Sequence, residues 1–271
     1  MPTEKPIDRI DVIIHELCHF FFDSVDDEKF LSIQKKFEAI GKIEARGAYN
    51  LINETLATAL GNGIINKLNM NKKQWDKYSS QQQSFYNNFF IDKAAKTILP
   101  WLEEWLNEEK TLYDPKFVDT YFSSLNLAFG NELATPKLLL NELVLVADNK
   151  LDGKFREIVK KELSTSSMYS GQGEWSDKRT LNSFNELPTM SSLLIVHTDN
   201  IAQLYEKNIL KADDFELLQQ EVRKNKGGVF SFTRNVNVPI FIIVSSTYDD
   251  ATKLVIKLAE LKQGFNGALR E

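Results

Sequence analysis

The chain has 271 residues, of which 42% are hydrophobic and 26% are charged, so a collagen-like, coiled-coil or disordered chain is excluded. Lys and Arg number 33 against 38 Asp and Glu, and the resulting net charge of −5 repels a phosphate backbone, so we expect no nucleic-acid partner. No apolar run reaches the ~20 residues that a membrane-spanning helix needs, and we expect no membrane span.

The chain begins with the polar stretch Met-Pro-Thr-Glu-Lys-Pro, which lacks the apolar core of a signal peptide. The one cysteine, Cys18, excludes an intrachain disulfide framework and a metal site built on paired cysteines.

The first predicted element is a helix over residues 11–22, which contains the pentad His15-Glu16-Leu17-Cys18-His19. Residues four apart on a helix lie on the same face, so the two imidazoles can bind one zinc ion from a single rigid element. Glu16 lies beside them and can take a proton from a zinc-activated water that attacks a carbonyl group. The alternative is a buried helix that contains two histidines by chance.

Two further helices are predicted next, over about 28–42 and over Gly47–Gly61, the second closed by glycine at both ends. Glu54 is the one carboxylate between Glu44 and Asp76, and it is surrounded by apolar residues. A lone carboxylate on so apolar a helix needs a cation to offset its burial, which makes Glu54 the candidate third metal ligand. The alternatives are a charge that stabilises a helix start and a salt bridge to Arg46.

The pentad, followed by Asn53-Glu54-Thr-Leu-Ala57, resembles the gluzincin branch of the zincin metallopeptidases over about residues 8–63. The resemblance implies that His15, His19 and Glu54 bind zinc, that Glu16 is the general base and that the substrate is a peptide or protein. Thermolysin-like members have an aspartate where this chain has Thr58, so a close relationship to them is not expected. Zincins also place a sheet before this helix, and 14 residues precede His15 here. We therefore expect that an N-terminal portion has been removed, which favours an exported parent over a cytoplasmic one.

Residues 64–147 are predicted to be mostly helical, with turns at 69–71, near Pro100 and near 114–115. The apolar run Leu138–Val146 is predicted to be a buried helix.

From residue 164 to residue 192 the chain is polar and rich in serine and glycine, which predicts a loop, linker or lid. Strands are predicted at 193–196, 229–232 and 239–244, with the last two forming a hairpin, and helices at about 199–207, 212–225 and 248–262. The expected class is α+β: a predominantly helical, zincin-like catalytic part with a small C-terminal α/β unit. The expected division is a metallopeptidase region over 1–148, a polar linker or lid over 149–192 and an α/β region over 193–271.

The remaining histidine, His197, follows the apolar run 193–196 and is the candidate donor to the oxyanion of the transition state. The alternative for His197 is a histidine at a strand end whose hydrogen bonds are already satisfied. Tyr49, Tyr113 and Tyr121 are weaker candidates for the same role.

The leading functional hypothesis is a zinc-dependent metallopeptidase that uses a zinc-activated water with Glu16 as general base. The main alternative is a catalytically inactive zincin-like binding or scaffold domain with a structural metal, in which protein ligands close the fourth zinc position. A third hypothesis is a helical binding protein that holds no metal.

Overall fold

The computed structural model describes residues 9–24, 26–151, 153–173, 181–235, 238–262 and 267–268. The chain divides into two compact units: unit 1 is Met1–Ile40 with Ala48–Leu133, and unit 2 is Gly41–Gly47 with Ala134–Glu271. Unit 1 is built from helices and unit 2 from helices with a sheet, so the expected α+β class with mostly helical content is confirmed. Among the described residues, none of the helices combines the length and the apolar character that crossing a membrane requires.

The helices of unit 1 follow one another through short connections. They are α1 (Ile10–Asp23), α2 (Asp27–Ala39), α4 (Ile52–Thr58), α5 (Asn66–Asn69), α6 (Lys72–Ser80), α7 (Phe89–Asn107) and α8 (Phe117–Phe129). Helix α3 (Ile43–Tyr49) contains a boundary between the two units, because Gly47 belongs to unit 2 and Ala48 to unit 1. A π-helical segment, Ala59–Ile65, joins α4 to α5. Helix α1 packs against α4 and the π-helical segment, and α7 packs against α4, the π-helical segment and α8.

Helix α7 is the longest element of unit 1 and forms much of its core. Its buried apolar residues lie along one face of the helix, at a spacing of three or four positions with two adjacent pairs: Ile91, Ala94, Ala95, Ile98, Leu99, Leu102 and Trp105. The Asn88 side chain caps its first turn by accepting hydrogen bonds from the backbone of Phe90 and Ile91. The predicted turn near Pro100 is wrong, because α7 continues through this residue. Pro100 lies on the exposed face, where water can bind the carbonyl group that the missing N–H leaves free.

The single helix predicted between Gly47 and Gly61 is also wrong at both ends. Gly47 lies inside α3, and the chain then breaks before α4 begins at Ile52. Gly61 lies inside the π-helical segment, and helical backbone continues to Asn69. Close packing against α1 explains why a glycine fits at position 61. A Cβ atom there would lie 2.5 Å from the backbone oxygen of Asp11 and 2.9 Å from the Cβ atom of His15.

Unit 2 contains a six-stranded sheet in the order β2-β1-β3-β5-β4-β6. The strands are β1 (Glu142–Asp148), β2 (Ser167–Gly173), β3 (Ser192–His197), β4 (Gly228–Asn235), β5 (Val238–Ser245) and β6 (Gly267–Ala268). Strands β2, β1, β3 and β5 are parallel, whereas β4 is antiparallel to β5 and to β6.

The helices of unit 2 cover both faces of this sheet. They are α9 (Pro136–Leu139), α10 (Phe155–Leu163), α11 (Asn182–Glu186), α12 (Ala202–Glu206), α13 (Ala212–Asn225) and α14 (Tyr248–Glu260). One core cluster joins Leu145 and Ile195 of the sheet to α10 and α14, and the other joins Val146 and Val244 to α11, α12 and α13. Burial on both faces explains why β1, β3 and β5 are continuous apolar runs.

The strands predicted at 193–196, 229–232 and 239–244 are confirmed as β3, β4 and β5, and the predicted helices at 212–225 and 248–262 are confirmed as α13 and α14. The helix predicted over Leu138–Val146 is wrong: α9 ends at Leu139 and β1 begins at Glu142. A short run that is apolar throughout fits a buried parallel strand as well as a buried helix.

The segment 164–192, predicted to be a loop, linker or lid, contains β2 and α11. Residues 174–180 of this segment lie outside the described residues. In the sheet formed by the described residues, strand β2 is at the edge and pairs with β1, so a polar sequence is compatible with a strand there.

Candidate metal centre

Helix α1 places His15 and His19 one turn apart on the same face, as predicted. The Nε2 atoms of the two imidazoles are 3.0 Å apart, and the ring centroids are 4.7 Å apart with the planes at 79°. His15 is buried and the His19 side chain is 21% exposed, so both nitrogens are largely shielded from bulk water.

Glu54 brings the third candidate ligand from the first turn of α4. Its Oε2 atom lies 3.7 Å from Nε2 of His15 and 3.7 Å from Nε2 of His19. These three residues are the group of potential ligands that the described part of the chain brings within 4.8 Å of one another.

The distances fit a zinc ion. Tetrahedral zinc with bonds of about 2.0–2.1 Å places neighbouring ligand atoms about 3.3–3.4 Å apart, and the three separations of 3.0, 3.7 and 3.7 Å bracket that value. Oε2 of Glu54 is also a buried oxygen that has no hydrogen-bond partner within the described ranges. A buried carboxylate oxygen without a donor is costly, and a bound cation at this position removes the cost.

Asn53 fixes the orientation of His19. Its Oδ1 atom lies 2.9 Å from Nδ1 of His19, so Nδ1–H donates and Nε2 keeps its lone pair for a metal. A hydrogen bond from the far nitrogen of a histidine ligand is the usual way in which proteins set the tautomer at metal sites.

The electrostatic surroundings keep His15 in the neutral form that a ligand needs. Burial lowers the pKa of His15, and the neighbouring His19 lowers it further, outweighing the opposite effects of Glu54, Glu16 and Asn62. Burial is the largest of these causes, and it lowers the pKa because the charged imidazolium loses its contacts with water at this position.

Tyr86 completes the surroundings of the three ligands. Its ring stacks on His15 with the centroids 5.8 Å apart and the planes at 17°. Burial and the nearby carboxylates of Glu54 and Glu16 raise the pKa of the Tyr86 hydroxyl to about 12, so the phenol stays protonated and can donate a hydrogen bond.

Glu16, the predicted general base, is exposed on α1 and acts electrostatically on both His15 and Tyr86. It does not belong to the group of potential metal ligands. Glu16 is therefore an exposed residue whose carboxylate is close enough to His15 and Tyr86 to interact electrostatically with both.

His197, the predicted oxyanion donor, lies at the end of β3 in unit 2. Its backbone N–H donates to Asp148, and its Nδ1 atom accepts a hydrogen bond from the backbone of Asp199 at 3.2 Å. These bonds agree with the alternative of a histidine at a strand end with satisfied hydrogen bonds. A catalytic role for His197 stays a prediction.

The three tyrosines considered for the same role make the ring contacts described here with residues other than the candidate ligands. Tyr49 and Tyr121 are buried and pack against Phe37, and Tyr113 lies under the ammonium group of Lys29.

Two residues around the ligands were not predicted from the sequence in these roles: Tyr86 as a neighbour of His15, and Asn53 as the hydrogen-bond acceptor of His19. Asn53 was part of the motif next to Glu54, and its place beside a ligand was a usable signal. Tyr86 lies between α6 and α7 in a polar stretch without periodicity, so only the tertiary structure reveals its contact with His15.

Comparisons with known proteins identify no relative of this chain: no family model matches it, and neither the curated proteins nor the solved structures contain a significant match.

Proposed function

We propose that this protein is a zinc-dependent hydrolase that cleaves peptide bonds. The observation that carries the proposal is the convergence, within 4.8 Å, of two histidine nitrogens and an oxygen of Glu54 that has no hydrogen-bond partner in the described part of the chain, close to the exposed residue Glu16. A zinc ion, when bound, acts as a Lewis acid that lowers the pKa of water and polarises a carbonyl group.

The residues around the proposed zinc site have different roles. His15, His19 and Glu54 bind, and Asn53 holds His19 in the tautomer that binding requires. Glu16 accepts the proton of the attacking water at its carboxylate and returns it to the leaving amine. The motif that links the pentad to Asn53-Glu54 resembles that of gluzincin metallopeptidases, which supports a peptide or protein as the substrate.

A second candidate function is binding or scaffolding with a structural metal. One observation favours it: in unit 1, the described residues form helices and no strand, so this unit supplies no strand edge along which a substrate backbone could pair. The two functions differ in the fourth zinc position, which is open to water in an enzyme and filled by protein in a structural site.

The decisive experiment measures metal content and hydrolysis in matched variants. We expect about one zinc per chain by elemental analysis, consistent with a single three-ligand site. Zinc should be lost in Glu54→Gln and retained in Glu103→Gln, whose carboxylate pairs with Lys67 in the same unit. Retention of zinc in Glu54→Gln would remove Glu54 from the ligand set, and absence of zinc after reconstitution would favour the metal-free binding protein.

Glu16→Gln separates the enzyme from the structural site. In a peptide-library assay read by mass spectrometry, we expect this variant to keep its zinc and to lose about 10²- to 10⁴-fold in hydrolysis, because it lacks the general base. Turnover that survives in Glu16→Gln contradicts the assigned base. Zinc without turnover in the unaltered protein supports the structural role.

A further inference from the structure

A cavity of about 940 Å³ lies in unit 2, and its described lining comes from the end of α13, the start of β4, the end of β5 and α14. Sites that bind small molecules commonly have volumes of about 300–1,000 Å³. None of the described lining residues is a candidate metal ligand, so this cavity needs an explanation of its own.

The cavity lies at the carboxyl end of the parallel strands. Strands β3 and β5 run side by side, with His197 opposite Ser245, and Ser245 and Ser246 line the cavity. A second cavity of about 540 Å³ is lined by Thr198, which follows β3, and it shares Lys226 and Ser246 with the first. In parallel sheets that carry helices on both faces, ligands bind outside the carboxyl ends of the strands.

The strand order reverses between β1 and β3, which is the usual place for a ligand in such a sheet. Here, Asp148 at the end of β1 accepts hydrogen bonds from the backbone of His197 and from the side chain of Asn200. These bonds connect the ends of β1 and β3. The space at the strand ends consequently lies next to this point, at β3 and β5.

Basic residues predominate around the larger cavity. Its described lining contains two acidic residues, Glu221 and Asp250, and four lysines: Lys224, Lys226, Lys253 and Lys257. Asp250 pairs with Lys253 at 3.0 Å, and Glu221 accepts a hydrogen bond from Asn225 at 3.2 Å. Lys224 and Lys226 have no ion-pair partner within the described ranges. In a chain with a net charge of −5, this local excess of positive charge favours an anionic ligand.

Lys226 has a backbone conformation that lysine rarely adopts. It follows α13 directly and has a φ of 61°, in the left-handed region where glycine or asparagine is the usual residue. The next residue must be glycine, because a Cβ atom at Gly227 would lie 2.6 Å from the backbone oxygen of Val244. This close approach holds Lys226 against the end of β5. Strained residues of this kind are concentrated at ligand sites, and Lys226 is the lysine that lines both cavities.

We propose that this cavity binds a small, soluble molecule that carries a phosphate group, and that Lys224 and Lys226 neutralise the charge of that group. Two lysines without ion-pair partners suit a doubly charged phosphate better than a singly charged carboxylate. The cavity is larger than a phosphate group alone, so it also has room for an organic part. The proposal concerns unit 2 and depends neither on the metal centre nor on peptide hydrolysis.

The test titrates the whole chain with inorganic pyrophosphate by isothermal titration calorimetry at low ionic strength. We expect a single site per chain. Lys226→Asn removes the charge and introduces a residue that adopts the left-handed conformation readily, so affinity should fall about tenfold without a loss of thermal stability. The matched control is Lys211→Gln, which removes the same charge at an exposed position before the other end of α13 and should keep the affinity.

Equal affinities of the Lys226→Asn and Lys211→Gln proteins would overturn the proposal, because general charge attraction would then explain the binding. Absence of pyrophosphate binding to the unaltered protein would overturn it as well. Trimethyl phosphate, which is uncharged, should not bind, and binding equal to that of pyrophosphate would contradict a site built on charge.

A vesicle experiment separates a soluble phosphate from a lipid headgroup. We expect no sedimentation of the protein with vesicles of phosphatidylglycerol and phosphatidylcholine. Sedimentation that is lost in Lys226→Asn would identify a lipid surface as the partner and overturn the proposal of a soluble ligand. Zinc content is independent of all these results, so a failure here would leave the proposed hydrolase untouched.

Discussion

Each unit of the molecule contains a largely buried carboxylate next to a histidine residue, but the two carboxylates differ in how many hydrogen bonds they accept. In unit 1, Oε2 of Glu54 has no hydrogen-bond donor among the described residues, and its neighbours are two imidazole nitrogens at 3.7 Å. In unit 2, Asp148 at the end of β1 is 0% exposed, and donors reach both of its oxygens.

The donors to Asp148 come from the segment after β1, from the last residue of β3 and from the segment that follows β3. Oδ1 accepts from the backbone of Lys150 at 3.1 Å, and Oδ2 accepts from the backbone of His197 at 3.1 Å and from the side chain of Asn200 at 2.7 Å. This carboxylate joins two strand ends and needs no further partner. Complete hydrogen bonding of a buried carboxylate indicates a structural role, whereas a buried acceptor without a donor indicates a partner that the chain itself does not supply.

The largest effect is expected at the satisfied acid. Asp148→Ala leaves two backbone N–H groups and an amide without an acceptor, which should cost about 3 kcal/mol of unfolding free energy. Chemical denaturation gives the total, and hydrogen exchange at β1 and β3 locates the loss. The control Asp199→Ala removes a 66%-exposed carboxylate and should stay within about 0.5 kcal/mol. Equal effects of the two substitutions would show that the hydrogen bonds to Asp148 contribute little to stability.

The next effect concerns the packing that brings the ligands of unit 1 together. Gly61→Ala would place a Cβ atom 2.5 Å from the backbone oxygen of Asp11, so α1 must move. We expect a loss of about 1–3 kcal/mol in stability, measured by denaturation, together with weaker zinc binding. Asn69→Ala, an exposed change at the end of the same helical run, is the control. Zinc affinity that is unchanged in Gly61→Ala would show that the ligands tolerate a shift of α1.

A smaller effect is expected from the residue that orients His19. Asn53→Ala removes the acceptor of the Nδ1 hydrogen bond, and zinc affinity should fall about tenfold while unfolding changes little. Competition with a chromophoric chelator measures the affinity, with the exposed Asn126→Ala as the reference. Equal zinc affinity in the two variants would mean that Asn53 does not set the tautomer of His19.

The smallest effect, and the sharpest contrast with Asp148, is expected for Glu54→Gln in the metal-free protein. The substitution keeps the shape and removes a charge whose inner oxygen has no donor, so stability should change by less than about 1 kcal/mol. Denaturation in the presence of a chelator tests this, with Glu103→Gln as the control. A loss as large as that of Asp148→Ala would class Glu54 as a structural acid.

The sequence predicted the parts of the site that lie close together along the chain. The histidine pair follows from spacing on one helix, and Glu54 follows from its isolation on an apolar segment, because both are local patterns. The contact of Tyr86 with His15 joins segments far apart in the chain and leaves no local trace.

The secondary structure was predictable where the chain shows clear periodicity, as in α13. The prediction was wrong where a strand is buried on both faces or carries a polar sequence at the sheet edge. Strand β1 was mistaken for a helix because both of its faces are buried, and β2 was missed because an edge strand tolerates polar residues. Pro100 was overvalued as a helix breaker, since its exposed position lets water replace the lost hydrogen bond.

The number of residues in the π-helical segment Ala59–Ile65 determines which side chains before and after it face α1. Its wider turn delays the rotation of side chains, so Glu54 before it faces His15, while Asn62 within it and Asn66 after it still face Asp11 of the same helix α1 at 3.4 and 3.5 Å. Removing one residue from the segment would turn one of these two groups away from α1, whatever the identity of the residue. The spacing between Glu54 and the two asparagines is therefore as much a requirement of the site as the residues themselves.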